Sequence, residues 1–181
     1  MNLKDYKDIT NGPQLAHLKH AVIGDKIEKC EIEKGFLKFK GTMTDMYTGE
    51  IHKCTIAGCD CDGFKKRNLP CVHMYKLALE YGMYKEYQRR GFSEKIAGLQ
   101  DDVFEYFESA MYGGYYDLER DIEEGSIVKV TDKIKHALKR ENLLEFHRGY
   151  FVFTETVQRD IIGYIIATFS DPRSRQIRQG K

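Results

Sequence analysis

The sequence predicts an α+β fold: an N-terminal antiparallel β-meander followed by a helix, then a mostly helical C-terminal half with one β-hairpin. Three observations lead there. Residues 26–58 hold three strand-like runs separated by turn signals. After Pro70 the period changes, with Met74, Leu77, Ala78 and Tyr81 at i, i+3, i+4 and i+7. In the second half "LLEFHRGYFVF", residues 143–153, reads as a hairpin among helical patterns. A chain of 181 residues can bury a real core. The linker-like stretch "MYKEYQRRGF", residues 83–92, divides it into residues 1–90 and 91–181.

Residues 11–23 are expected to form a helix capped by Asn11, with Pro13 in its first turn and Leu15, Leu18 and Val22 on one face. "KIEKCEIE" and "FLKFKGTMT" flank Lys34-Gly35, a two-residue hairpin turn. "EIHKCTIAG" follows the turn signal "DMYTG" and completes a three-strand meander. The helix after Pro70 stops at Gly82. Residues 83–92 read as a boundary or linker, with a helical continuation to Arg90 as the alternative.

In the second half Ser93 is the expected cap of a helix whose stripe is Ile96, Leu99, Val103, Phe107 and Ala110, ending at Gly113-Gly114. An acidic helix follows over 116–124. Thr131 caps another, with Ile134, Ala137 and Leu138 facing inward. The hairpin turns at Arg148-Gly149, which places Phe146 opposite Phe151 and Leu144 opposite Phe153. A last helix spans 156–169.

Hydrophobic content of 41% and charged content of 31% fit an ordered globular chain. The stretch "MNLKDYKDITNGPQ" lacks the apolar core of a secretory signal, and the longest apolar run, "IIGYIIATF", is far short of a bilayer span. The expected compartment is the cytoplasm, with no membrane association and nucleoid association possible. In reducing surroundings clustered cysteines more often bind metal than form disulfides, and the odd total of five argues against complete pairing. The net charge of +1 conceals polarity. Residues 101–124 are strongly acidic, whereas the tail after Pro172 carries Arg173, Arg175, Arg178 and Lys181 and no acid.

The chemistry concentrates in "CDCDGFKKRNLPCVH", residues 59–73. Cys59 and Cys61 are two apart and leave extended backbone on one side. Cys71 and His73 form a second pincer only if a helix is just starting there, since inside a helix residues two apart diverge. Pro70 favours that start and forces Leu69 to be extended. The nine residues between the pairs can fold back as a loop, with Phe64 beneath it and Lys65, Lys66 and Arg67 exposed. Three thiolates and an imidazole suit one tetrahedral Zn2+, and four protein ligands leave no position for a reacting water. The expected zinc is structural. Cys54 and His52 lie just upstream and either could replace a ligand; they read more simply as a core cysteine and a surface histidine on alternating faces. Cys30, alone in a strand, reads as buried.

This spacing, with the strands before it and "LPCVHMYKLALEYG" after it, resembles the SWIM-type zinc finger. That family pairs Cys-x-Cys after a β-hairpin with Cys-x-His opening a helix, in a ββα unit. The resemblance covers about residues 26–82 and implies the ligand set Cys59, Cys61, Cys71 and His73. It also implies a module that binds DNA or protein.

No phosphate-binding loop, nucleophile elbow or His-Glu-x-x-His motif is present, and no enzymatic activity or small-molecule substrate is expected. The helix after Thr131 carries Lys133, Lys135, His136, Lys139 and Arg140 opposite Ile134 and Leu138. A basic helix followed by a tight hairpin resembles a winged helix, with His147, Arg148 and Gly149 at the wing tip. Expected nucleic-acid contacts are these five residues, Lys65, Lys66 and Arg67, and the arginine tail, with DNA the first partner. Two other classes compete. One is a protein-interaction adaptor. The other is a nuclease-type enzyme using Asp101, Asp102, Glu105 and Glu108, of which Asp101, Glu105 and Glu108 share a helix face.

Overall fold

The computed structural model describes residues 12–33, 39–113, 130–147 and 150–179. The chain divides into two units, Met1–Arg90 and Gly91–Lys181.

In the first unit helix α1 (Gly12–Ile23) buries Gln14, Leu18 and Ala21 against α3 (Val72–Glu80). That stripe is rotated by one residue from the expected Leu15, Leu18 and Val22. The reason is polar: the hydroxyl of buried Tyr75 donates to Gln14 Oε1 at 2.9 Å, so the amide belongs inside. The expected cap Asn11 and the Lys34-Gly35 turn lie outside the described residues.

The sheet is antiparallel in the order β1 (Ile27–Ile32), β2 (Lys40–Asp45), β3 (Ile51–Thr55), β4 (Gly58–Cys59). It has one strand more than the sequence suggested. The third run does not continue to residue 58; it turns after Thr55 and returns as β4, pairing Cys54 with Cys59. The far side of α3 lies on this sheet, with Met43, Met74 and Leu77 fully buried. Gly41 makes the close packing possible. A Cβ there would sit 2.7 Å from the Glu31 carbonyl oxygen and 2.9 Å from Leu77 Cδ1. At the other end of α3, the Tyr81 hydroxyl donates to the Glu33 carbonyl at 2.9 Å.

Two further departures concern connections. The nine-residue loop contains a short helix, α2 (Asp62–Arg67), which Asn68 terminates in left-handed geometry at φ 52°. The expected linker carries a helical turn, α4 (Lys85–Gln88), flanked and anchored by the buried rings of Tyr84 and Tyr87.

In the second unit the predicted long helix is two, α5 (Phe92–Ala97) and α6 (Asp101–Gly113). Ser93 lies inside α5 rather than capping it; Gly91, with φ 76°, precedes the helix. The break between them is filled by Arg173. Its guanidinium donates to the carbonyls of Leu99 (2.7 Å) and Ile96 (2.9 Å), the second of which also accepts from Leu99 N at 3.1 Å, and stacks 4.0 Å over Phe104. The stripe Ile96, Leu99, Val103, Phe107 and Ala110 is nevertheless buried throughout.

Helix α7 (Asp132–Arg140) is capped by Thr131, whose hydroxyl accepts from Ile134 N at 3.3 Å. Strands β5 (Leu144–His147) and β6 (Tyr150–Phe153) pair in the expected register, Leu144 with Phe153 and Phe146 with Phe151. The turn at 148–149 and the acidic segment at 116–124 lie outside the described residues. The expected last helix is divided into α8 (Glu155–Arg159) and α9 (Ile161–Ser170) where Asp160 leaves helical geometry. Every residue of α9 from Ile161 to Phe169 is buried, the pattern of a central helix.

Beyond it, α10 (Pro172–Arg178) is capped by Asp171 and carries the arginine tail back onto the unit. Arg173 also pairs with Asp171 and Asp101, and Arg178 lies 3.3 Å from buried Glu108. Two of the tail cations are therefore part of the packing, not a free basic extension.

Candidate metal centre

The site is assembled where β3, β4, α2 and α3 meet. The turn joining β3 to β4 is tight: the Thr55 hydroxyl donates to Gly58 O (3.3 Å) and accepts from Ala57 N (3.1 Å). It delivers Cys59 at the strand end. Cys61 precedes α2 in extended backbone, φ −68° and ψ 151°. Phe64 packs its ring against Gly58, beneath the connection as the sequence suggested. Cys71 precedes α3 with φ −99° and ψ 172°, so His73 falls in the first turn. The second pincer therefore works because the helix has only just begun there.

All four side chains are buried, and one donor atom from each lies within 4.8 Å of the others. His73 Nδ1 is 3.7 Å from Cys59 Sγ and 3.7 Å from Cys71 Sγ. A tetrahedral zinc with bonds of about 2.3 Å to sulfur and about 2.0–2.1 Å to nitrogen has S···N edges of roughly 3.6 Å. The spacing is that of a tetrahedron without its centre.

The electrostatics agree. Hydrogen bonds with Cys59 and then Cys71 hold the Cys61 thiol far below its ordinary value, while hydrogen bonds with Cys61 and then Cys71, followed by burial, push Cys59 far above it. Three buried thiols this close ionise together only with a cation in their midst, and a soft dication supplies it. The donor set fits one structural zinc ion, closed by four protein ligands.

Sequence reasoning missed the support behind His73. Its Nε2 is buried and has no hydrogen-bond partner among the described residues. Its ring instead packs on His52, with centroids 4.7 Å apart, and His52 lies between Glu50 (3.7 Å) and Asp60 (3.4 Å). His52 is therefore not a surface histidine; its side chain is 14% exposed. Residues two apart on a strand share a face, so His52 and Cys54 both point inward. That period was the available signal. Cys54 is buried as expected and lies outside the tetrad, its thiol pushed up to about 12 mainly by burial. Cys30 is only half-buried, because it lies on the edge strand β1.

The matching family stands on these same residues. The family model described as SWIM zinc finger matches residues 54–82. The matched segment runs from β3 through α3 and contains all four donors. No curated protein matches the chain. No solved structure matches it either.

The remaining candidate residues have diverse surroundings. Within the matched segment Lys65, Lys66 and Arg67 are all exposed; Lys66 pairs with Asp62 at 3.3 Å, and Arg67 bends back so that its Nε lies 3.4 Å from Gly63 O. On α7, Lys133, His136, Lys139 and Arg140 are exposed and Lys135 is half-buried. Lys133 reaches Asp102 on α6 at 3.1 Å, Lys135 is 3.9 Å from Asp132, and Arg140 is 3.2 Å from Glu141.

The acidic residues of α6 do not form one solvated face. Asp101 pairs with Arg173 and Asp102 with Lys133, while Glu108 turns inward to accept from Ser174 at 2.9 Å. Burial pushes the Glu108 carboxyl up, and Ser174 and Arg178 pull it back in part. No helix among the described residues is long and apolar enough to cross a membrane.

Proposed function

We propose that the chain is a nucleic-acid-binding or regulatory module, with DNA as its first partner, organised by a structural zinc and without catalytic activity. The observation that carries this reading is the outward face of α7. Lys133, His136, Lys139 and Arg140 are exposed there, opposite the buried Ile134 and Leu138, and the β5–β6 hairpin follows at once. A basic helix backed by a core and adjoined by a hairpin suits a groove, with the hairpin toward the backbone. The ion pairs of Lys133 and Arg140 are exposed and weak, so phosphates can displace them. The SWIM finger is a zinc-binding module, which supports the same assignment.

A salt titration of binding to duplex DNA, single-stranded DNA and RNA tests the proposal. Affinity should fall with rising salt, and Lys139→Glu should weaken binding and flatten the slope. Absence of binding at low salt with the zinc retained would overturn it.

A second reading, a protein adaptor, draws on a different observation. Met46, Tyr47 and Ile51 are all strongly exposed around the β2–β3 turn, which Asp45 fixes by accepting from Tyr47 N and Thr48 N. A rigid turn presenting apolar side chains suits a protein contact. Tyr47→Ala should leave nucleic-acid binding unchanged if that turn serves a separate protein partner.

A further inference from the structure

The cations of "KKR" look equivalent in sequence, and the structure separates them. All three are exposed, but Lys66 is paired with Asp62. Arg67 bends back along α2 towards the metal centre. Its Nε lies 3.4 Å from the Gly63 carbonyl oxygen. A Cβ on Gly63 would be 3.4 Å from Arg67 Nη2 and 3.9 Å from Cys61 Sγ, so guanidinium and sulfur flank the same side-chain-free position. Arg67 and Cys61 also both reach half-buried His17 of α1, in opposite senses. Burial is the main cause lowering that pKa to about 4, Arg67 adds to the effect, and Cys61 opposes it.

A zinc ion with three thiolates and a neutral imidazole carries a net charge of −1, in a site where all four ligands are buried. Excess charge so placed is stabilised by a nearby fixed cation, and a guanidinium is the more weakly hydrated choice.

We propose that Arg67 is the counter-charge of the zinc–thiolate centre, stabilising the Cys61 thiolate across Gly63 and thereby raising zinc affinity. Arg67 is a positioning residue that acts through Cys61. The inference rests on the zinc reading of the tetrad.

The test is zinc affinity of the full chain, measured by competition with a chromophoric chelator at neutral pH and at two salt concentrations. Arg67→Gln should bind zinc roughly tenfold more weakly than the wild type at low salt, the lower end for groups that support metal ligands. The gap should narrow at high salt, because screening weakens the charge that the wild type retains. Arg67→Lys should recover most of the affinity, and Lys65→Gln should leave it unchanged.

Two results would overturn the inference. One is an Arg67→Gln affinity equal to that of the wild type. The other is an Arg67→Lys affinity as low as that of Arg67→Gln, which assigns the effect to the Gly63 hydrogen bond. Failure of every variant and of the wild type to bind zinc would refute the metal reading itself.

Discussion

His73 Nδ1 lies 3.7 Å from Cys59 Sγ, a contact between the first turn of α3 and the last residue of β4. With Cys61 and Cys71 it joins sheet, connection and helix at one point. The ion that fits there ties the fold of this segment to metal binding.

His52 supports that contact without joining it. His52→Ala should keep one zinc per chain while lowering zinc affinity about tenfold, since the His73 ring loses the face it packs on. Chelator competition reads this directly. Loss of zinc stoichiometry in this variant would mean that His52 is itself a ligand.

Gly41→Ala should destabilise the first unit by about 1–3 kcal/mol, the range for overpacking a close contact. The added Cβ meets the Glu31 carbonyl, which is backbone and has little freedom to move, and Leu77 on α3. Urea denaturation of the zinc-loaded protein measures the loss. Stability equal to the wild type would show that α3 and the sheet are less closely packed.

Arg173→Lys should cost about 2 kcal/mol, because an ammonium cannot reach both carbonyls and stack on a ring as the guanidinium does. The Leu99 and Ile96 carbonyls then lose their guanidinium donor, Ile96 keeping the Leu99 N–H, and Phe104 loses its stacked partner. Thermal unfolding should show the transition of the second unit lowered; an unchanged transition would contradict the role given to Arg173.

The stability of the first unit should fall as pH drops from 6.5 towards 4. His17 has a folded-state pKa of about 4 against an ordinary 6.5, burial being the main cause. Above 6.5 both states are neutral at this residue. Below it the unfolded chain takes up the proton first, and stability is lost until the folded pKa is reached. His17→Gln should flatten this decline when compared with the wild type at each pH. An unaltered slope would show that His17 contributes nothing to the acid sensitivity.

The metal ligands were legible because their chemistry is local: two pairs at i, i+2, a proline, and a helix beginning at Val72. The hairpin register of β5 and β6 was legible for the same reason, since alternation and a short turn determine it. What escaped were interruptions of helices. The break at residues 98–100 is stabilised by Arg173, more than seventy positions away, and no local pattern announces it. Likewise, the inward turn of Glu108 depends on Ser174 and Arg178. The fourth strand was missed because it is two residues long and lies at the end of an unbroken strand-like run. The inward face of His52 was within reach, since it follows from the two-residue period shared with Cys54.

Metal content tests the central claim most directly. Elemental analysis of full-length protein purified without chelator should find one zinc per chain. Cys54→Ser should retain it, whereas Cys71→Ser should lose it together with the folded first unit. Protein that folds without zinc, or that keeps zinc in Cys71→Ser but loses it in Cys54→Ser, would contradict the assignment of Cys59, Cys61, Cys71 and His73 as the metal centre.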